Sequence, residues 1–294
     1  MEHATFEGTL TIDVRGASLA YREAGKGPPV ILVHGSASDM RTWGTTVPAI
    51  AAEHRTIAYS RRYARPNAPI PPGADDPMRE HVDDLLSFVT TLSAAPAHLV
   101  GHSWGAFVCL LAAIRCPDVV RSLVLIEPPV LSLFVSTPPR PSELMRTFLR
   151  SPATAFSIVR FGVTAAEPAT KAYRRGEDGA AFEIFGRGVL GKDAFERLSP
   201  DRKQQAWENM SVDKAQLLGE GFPPLAYEDV QRVRCPVLLL CGERSPPLFG
   251  RLTDRLEALL PNATRLDVSA ASHLVHEDDP ETVHEAILSF LRGR

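Results

Sequence analysis

The chain has 294 residues, 44% of them hydrophobic and 23% charged, with a formal net charge of −3. This is the composition of a globular chain with one large domain or two small ones, and it speaks against nucleic acid or an anionic membrane as a partner. No apolar run approaches the ~20 residues of a membrane span, and the stretch Met1-Glu2-His3-Ala4-Thr5 carries no signal-peptide pattern. The four cysteines, Cys109, Cys116, Cys235 and Cys241, lack metal-ligand spacing. Free thiols in a reducing, cytoplasmic setting are therefore expected, with no metal and no cofactor.

Short β-rich runs alternate with helical patterns from Thr9 to about Glu127. Thr9–Val14 and Ser18–Glu23 read as a hairpin joined at Arg15-Gly16-Ala17. Val30–Val33 and Thr56–Tyr59 read as strands. Met78–Leu92 reads as a helix with Val82, Leu85, Leu86, Val89 and Leu92 on one face. His98-Leu99-Val100 is a short strand, followed by an apolar helix that ends at Cys116-Pro117. Ser122–Ile126 is a fully apolar strand. Such alternation predicts a mostly parallel sheet covered on both faces.

The strand signal then vanishes from about Pro128 to Val233. Ser151-Pro152 and Ser199-Pro200 each pair an N-cap with a proline at the first helical position. The second opens a helix expected to run to Leu218. A helical insertion over residues 131–233 is expected between two core segments, 1–130 and 234–294. Strands at Pro236–Cys241 and Thr264–Val268 and helices at Leu248–Leu260 and Pro280–Leu291 complete the pattern.

Chemistry concentrates in a few places. Gly101-His102-Ser103-Trp104-Gly105 sits between a strand and an apolar helix. Two glycines there permit a sharp turn with the serine hydroxyl exposed, the arrangement of a nucleophile elbow. A serine needs a general base, and the base needs an acid to hold it. Of nine histidines, His273 is the candidate base, because it lies in the loop Ala270-Ala271-Ser272-His273 between the last strand and the closing helix. The oxyanion requires two backbone N–H donors. Trp104, directly after the nucleophile, supplies one. Ser36, in His34-Gly35-Ser36 after a buried strand, supplies the other.

These motifs, in this order and over nearly the whole chain, resemble the α/β-hydrolase-fold superfamily with a helical cap. The resemblance implies an eight-stranded, mostly parallel sheet with the triad at its C-terminal edge, and leaves the reaction open. The acid is where the sequence departs from the common pattern. Many members place it after the penultimate strand as Gly-x-x-Asp, where this chain reads Gly242-Glu243-Arg244-Ser245. Glu243 is two residues early. Glu127, after the strand that ends at Ile126 and before Pro128-Pro129, matches members such as haloalkane dehalogenases and zearalenone-type lactone hydrolases. Glu127 is the favoured acid and Glu243 the alternative.

Arg61 and Arg62 are candidates to bind a substrate carboxylate, and His276 to face the site. The expected function is a cofactor-independent serine hydrolase of a carboxylic ester or lactone, with a small-molecule substrate, no nucleic acid or membrane partner, and its oligomeric state left open. The alternatives are C–C bond hydrolysis or perhydrolysis on the same triad, or a non-catalytic ligand-binding protein. Serine at 103 argues against dehalogenase or epoxide hydrolase chemistry, which uses an aspartate nucleophile in this fold.

Overall fold

In the computed structural model, which describes residues 8–292, apolar side chains along the parallel strands at the centre of the sheet fill both of its faces. The stretch Met1–Thr5, read as lacking a signal peptide, lies outside those residues. The strands are β1 (Leu10–Val14), β2 (Ala17–Ala24), β3 (Pro29–Val33), β4 (Arg55–Tyr59), β5 (Ala97–His102), β6 (Val120–Ile126), β7 (Val237–Gly242) and β8 (Ala263–Val268). Their order is β1-β2-β4-β3-β5-β6-β7-β8. The β1–β2 and β2–β4 pairs are antiparallel, and every other pair is parallel.

The two faces follow from the two-residue period of a strand. Ile31, Val33, Leu99, Leu123, Leu125 and Leu239 share one apolar cluster with Phe88 and Phe107, on the helices Met78–Thr91 and Trp104–Arg115. Val30, Leu32, Val100, Val124, Ile126 and Leu240 share the other with Ile50, Val283, Ile287 and Leu291. Consecutive apolar residues in β3, β5, β6 and β7 thus feed both layers. Because these strands are parallel, the loops that leave them meet at a single edge, where ligands bind in folds of this kind.

Between β6 and β7 the described chain has helices and no strand. The expected single helix from Ser199 to Leu218 is two, Pro200–Glu208 and Met210–Leu218. The break falls at Asn209, whose side-chain amide donates to Asp39 Oδ2 and to Gln205 O, each at 2.8 Å, and accepts from Arg65 N–H at 2.8 Å. The side chain is thus tied to two distant segments, Asp39 and Arg65, and Asn209 itself leaves the helical backbone at φ −107° and ψ 9°. No described helix is long and apolar enough to cross a membrane.

Candidate active site

Ser103 occupies the turn between β5 and the helix Trp104–Arg115, with φ 49° and ψ −120°. That left-handed conformation is strained for a residue with a Cβ. It is held by Ser103 N–H donating to Ile126 O at 2.8 Å and by Ser103 O accepting from Phe107 N–H at 3.1 Å. Both flanking glycines are required by contact. A Cβ at Gly101 would lie 2.5 Å from Ala106 Cα, and one at Gly105 would lie 2.3 Å from Val33 O. The elbow is thus wedged between its own helix and β3, and Ser103 stays partly exposed among buried neighbours.

His273 is 2% exposed. Its ring lies against Phe249, with centroids 4.0 Å apart, and its carbonyl accepts from His102 Nε2–H at 2.9 Å. The loop that carries it is fixed by Ser272 N–H donating to Asp278 Oδ2 at 2.7 Å. Nδ1 of His273 lies 2.5 Å from Glu127 Oε2. Nε2 is buried and has no hydrogen-bond partner among the described residues.

Glu127 sits directly after β6 with φ 46°, a second left-handed residue at this edge. Its N–H donates to Leu240 O at 3.1 Å. Oε1 accepts from Gly242 N–H at 2.8 Å and from Cys241 Sγ at 3.2 Å, leaving Oε2 for the histidine. Burial, and then Glu127 itself, raise the pKa of Cys241, so the sulfur is a thiol that donates rather than a thiolate. A fully buried carboxylate is tolerable only with such partners. Glu243 is exposed, and its N–H is bound to Val268 O. The carboxylate on the His273 ring is Glu127, and Glu243 does not reach it.

The loop after β3 packs on the elbow. A Cβ on Gly35 would lie 3.2 Å from Ser103 Cβ. Gly35 O accepts from His34 Nδ1–H at 2.8 Å and from Arg61 Nη2–H at 2.9 Å, while Arg61 Nε–H donates to His34 O at 3.0 Å. A trans peptide points its C=O and N–H in opposite directions. Pinning Gly35 O therefore also fixes the direction of Ser36 N–H. Trp104 begins its helix, where a backbone N–H has no intrahelical acceptor.

This changes the reading of three residues. Arg61 is 1% exposed and its guanidinium donates to the carbonyls of His34 and Gly35, so it holds the loop after β3 and is not presented to a substrate carboxylate. Arg62 makes a two-pronged ion pair with Asp84, 2.7 Å on each prong, against the helix Met78–Thr91. His276 is fully buried, 4.4 Å from the Trp43 ring and 3.1 Å from Thr42 Oγ1, behind the site. Burial pulls its pKa down to about 4, and burial also lowers those of His102 and His34. The imidazoles that surround the elbow are therefore neutral and add no charge opposing a developing imidazolium at His273.

Residues missed by the sequence reading are Asp213 and Gln216, both on the Met210–Leu218 helix. Ser36 Oγ lies 2.9 Å from Asp213 Oδ1 and 2.6 Å from Gln216 Oε1. Two buried polar residues on one face of an otherwise ordinary helix were the available signal. A groove of about 1110 Å³ under the insertion, lined by Phe134, Arg146, Phe222 and Arg251 among others, excludes both Ser103 and His273 from its wall. Of the aromatics in the insertion, Phe148 and Phe156 are 54% and 67% exposed, neither core nor a wall of the site. No described group of His, Cys, Asp or Glu could hold a metal ion.

Comparison with known proteins agrees with this fold. The description "Alpha/beta hydrolase family" matches residues 30–286. The chain is 26% identical, over 95% of its length and 94% of the relative's, to the 2-(acetamidomethylene)succinate hydrolase of Mesorhizobium japonicum. It is 20% identical, over 92% and 93%, to the (E)-2-((N-methylformamido)methylene)succinate hydrolase of Acinetobacter baylyi. Among solved structures it resembles a thermophilic esterase from Thermogutta terrifontis with malate bound, with a TM-score of 0.75 at 21% identity, over 97% of this chain and 98% of that one.

Proposed function

Because this chain belongs to the alpha/beta hydrolase family, we propose that it is a cofactor-independent serine hydrolase that cleaves a carboxylic ester or lactone through an acyl-enzyme. The observation that carries the proposal is His273, clamped by Glu127 on Nδ1 and unpartnered on Nε2 beside the elbow.

Nε2 of His273 takes the Ser103 proton as Oγ attacks the substrate carbonyl. Glu127 holds the tautomer and stabilises the imidazolium. The N–H groups of Ser36 and Trp104 receive the oxyanion. His273 then protonates the leaving alcohol, the tetrahedral intermediate collapses to an acyl-Ser103 ester, and a water activated by His273 hydrolyses it. The protons balance: one is taken from Ser103 and given to the alcohol, and one is taken from water and returned to Ser103. No metal or cofactor has a part in these steps.

A second reading concerns the leaving group. The two curated relatives named above are, by name, hydrolases of N-acylated aminomethylene succinates. The same triad would cleave such an N-acyl bond with nitrogen leaving in place of alcohol. One experiment tests both readings. A fluorophosphonate probe is applied to the wild type and to Ser103→Ala, and kcat/KM is measured on esters and lactones of graded size beside 2-(acetamidomethylene)succinate. The proposal predicts labelling only with Ser103 present and turnover of the esters. Turnover confined to the acylated aminomethylene compound moves the assignment to the second reading. No labelling and no turnover would leave a non-catalytic protein.

A further inference from the structure

The polar contacts between the Met210–Leu218 helix and the loop after β3 contain one more acceptor than the visible donors can serve. Ser36 Oγ has a single proton and lies within hydrogen-bond distance of two acceptor oxygens, Asp213 Oδ1 at 2.9 Å and Gln216 Oε1 at 2.6 Å. Gln216 cannot resolve this by turning over, because its Nε2 donates to Asp76 Oδ2 at 2.7 Å. Reversing the amide would leave its oxygen facing that carboxylate. Either way one proton more is needed, on Asp213 or on Asp76.

The surroundings decide which. Asp76 is beside His81 Nε2, at 2.9 Å, and near the Arg61 guanidinium; although burial opposes it, the His81 ring, Arg61 and Gln216 hold its pKa low. Asp213 has no cation as a direct partner. It is fully buried, and it meets Tyr173 O–H at 3.0 Å on Oδ2 and Ser36 on Oδ1. The charged groups around it, from each packed element, are Lys214 on its own helix, paired with Asp178 at 2.8 Å, and the Asp76–His81–Arg61 group behind Gln216. Burial pushes its pKa up to about 6 against the opposing bonds from Ser36 and Tyr173.

We infer that Asp213 is a positioning residue that works in its neutral form: its carboxyl proton is donated to Ser36 Oγ, which then donates to Gln216, and this chain holds the oxyanion loop in register with the elbow. The inference rests on Ser36 as an oxyanion donor, as proposed above. With the proton present, every bond in the run Tyr173→Asp213→Ser36→Gln216→Asp76 has one donor and one acceptor. Losing it leaves Ser36 with two acceptors, and the contact with Gln216 opens. The sign follows: a carboxyl raised in the folded state is protonated below about 6, so the alignment is intact there and is lost as pH rises through that value.

The test compares the wild type with Asp213→Asn and Asp213→Ala. The amide of asparagine donates to Ser36 and accepts from Tyr173, copying the protonated acid at every pH. Steady-state rates on p-nitrophenyl acetate are measured from pH 5 to 9, and infrared difference spectra of wild type minus Asp213→Asn are recorded at pH 5. Asp213→Ala should lower kcat, with little change in KM, and Asp213→Asn should rescue it. The ratio of kcat for Asp213→Asn over wild type should be flat below pH 6 and rise roughly three- to tenfold above it, the scale of one buried hydrogen bond. The infrared difference should contain the carbonyl band of a protonated carboxyl.

Parallel pH profiles, failed rescue, or a carboxylate band at pH 5 would overturn the inference. The infrared measurement needs no catalysis, and fluorophosphonate labelling of Ser103 in each variant reports the nucleophile. Failure of the hydrolase reading and failure of the Asp213 reading are thereby distinguishable.

Discussion

The sheet edge and the helical insertion are built on different principles. At the edge, position is forced by steric contact. Ser103 and Glu127 adopt left-handed backbones, as do Ala37 and Ala270 in the loops after β3 and β8. Such residues cost about 1–3 kcal/mol each and persist only where their surroundings over-determine them. Here the surroundings are strands whose core residues, Leu32, Val100, Val124, Ile126 and Leu240, are all 0% exposed. In the insertion, Met145, Phe148, Leu149 and Phe156 remain more than half exposed, and the Met210–Leu218 helix meets the core through polar groups. The sheet edge carries the groups proposed to react, and the insertion reaches the loop beside them through hydrogen bonds to Ser36.

The sharpest way to break this contrast is at its rigid end. Ser103→Ala should lower turnover roughly 10⁴-fold or more, since the remaining groups have no nucleophile to serve. Retention of ester turnover in a folded Ser103→Ala protein would remove the edge from the mechanism. Glu127→Gln should come next. It keeps the bond from Gly242 N–H but presents a wrong donor or a neutral acceptor to His273, and kcat should fall by up to about 10⁴-fold. Glu243→Gln, at an exposed carboxylate, should change kcat by no more than a few-fold. The reverse ranking of these two variants would place the acid after β7.

How much of this was legible beforehand differs between the two regions for the same physical reason. Strand, turn and helix around Ser103 left a local record, because only glycine fits at 101 and 105. The order Ser103, Glu127, His273 was readable too, since Pro128-Pro129 marks where β6 must stop. The roles of Arg61 and Arg62 were not. A pair of adjacent arginines in a loop looks the same whether each binds substrate, a carbonyl or Asp84, and only the tertiary contacts tell them apart. Asn209 escaped notice because its effect on the helix comes from Asp39 and Arg65, more than a hundred residues away.

Arg61 gives a sharper version of the comparison. Arg61→Met releases the carbonyls of His34 and Gly35 without touching Ser103, His273 or Glu127. It should lower kcat by about 10–100-fold, less than the loss of an entire oxyanion donor, with KM nearly unchanged. Circular dichroism must show the variant folded, because two buried carbonyls lose a donor. A rise in KM for carboxylate-bearing esters alone, with kcat preserved, would restore a substrate-binding role to this arginine.

The smallest effects should come from packing, and they should differ by region. Ile126→Ala, in the middle of the sheet, should destabilise by about 2–5 kcal/mol. Leu149→Ala, on a helix where that side chain is 75% exposed, should stay within about 0.5 kcal/mol. Urea denaturation of the two variants checks both, and a comparable loss at Leu149 would mean that its face is covered in solution.

The central claim is that Ser103 carries the acyl group between two half-reactions. Rapid quenching of the wild type with p-nitrophenyl acetate, followed by mass spectrometry of the peptide containing Gly101–Gly105, tests it most directly. The account predicts a burst of p-nitrophenol close to one per enzyme molecule, an acetyl adduct on Ser103, and slow decay of that adduct in Glu127→Gln. Turnover of the ester with no adduct on Ser103 at any quench time, or an adduct on another residue that decays at the turnover rate, would contradict it.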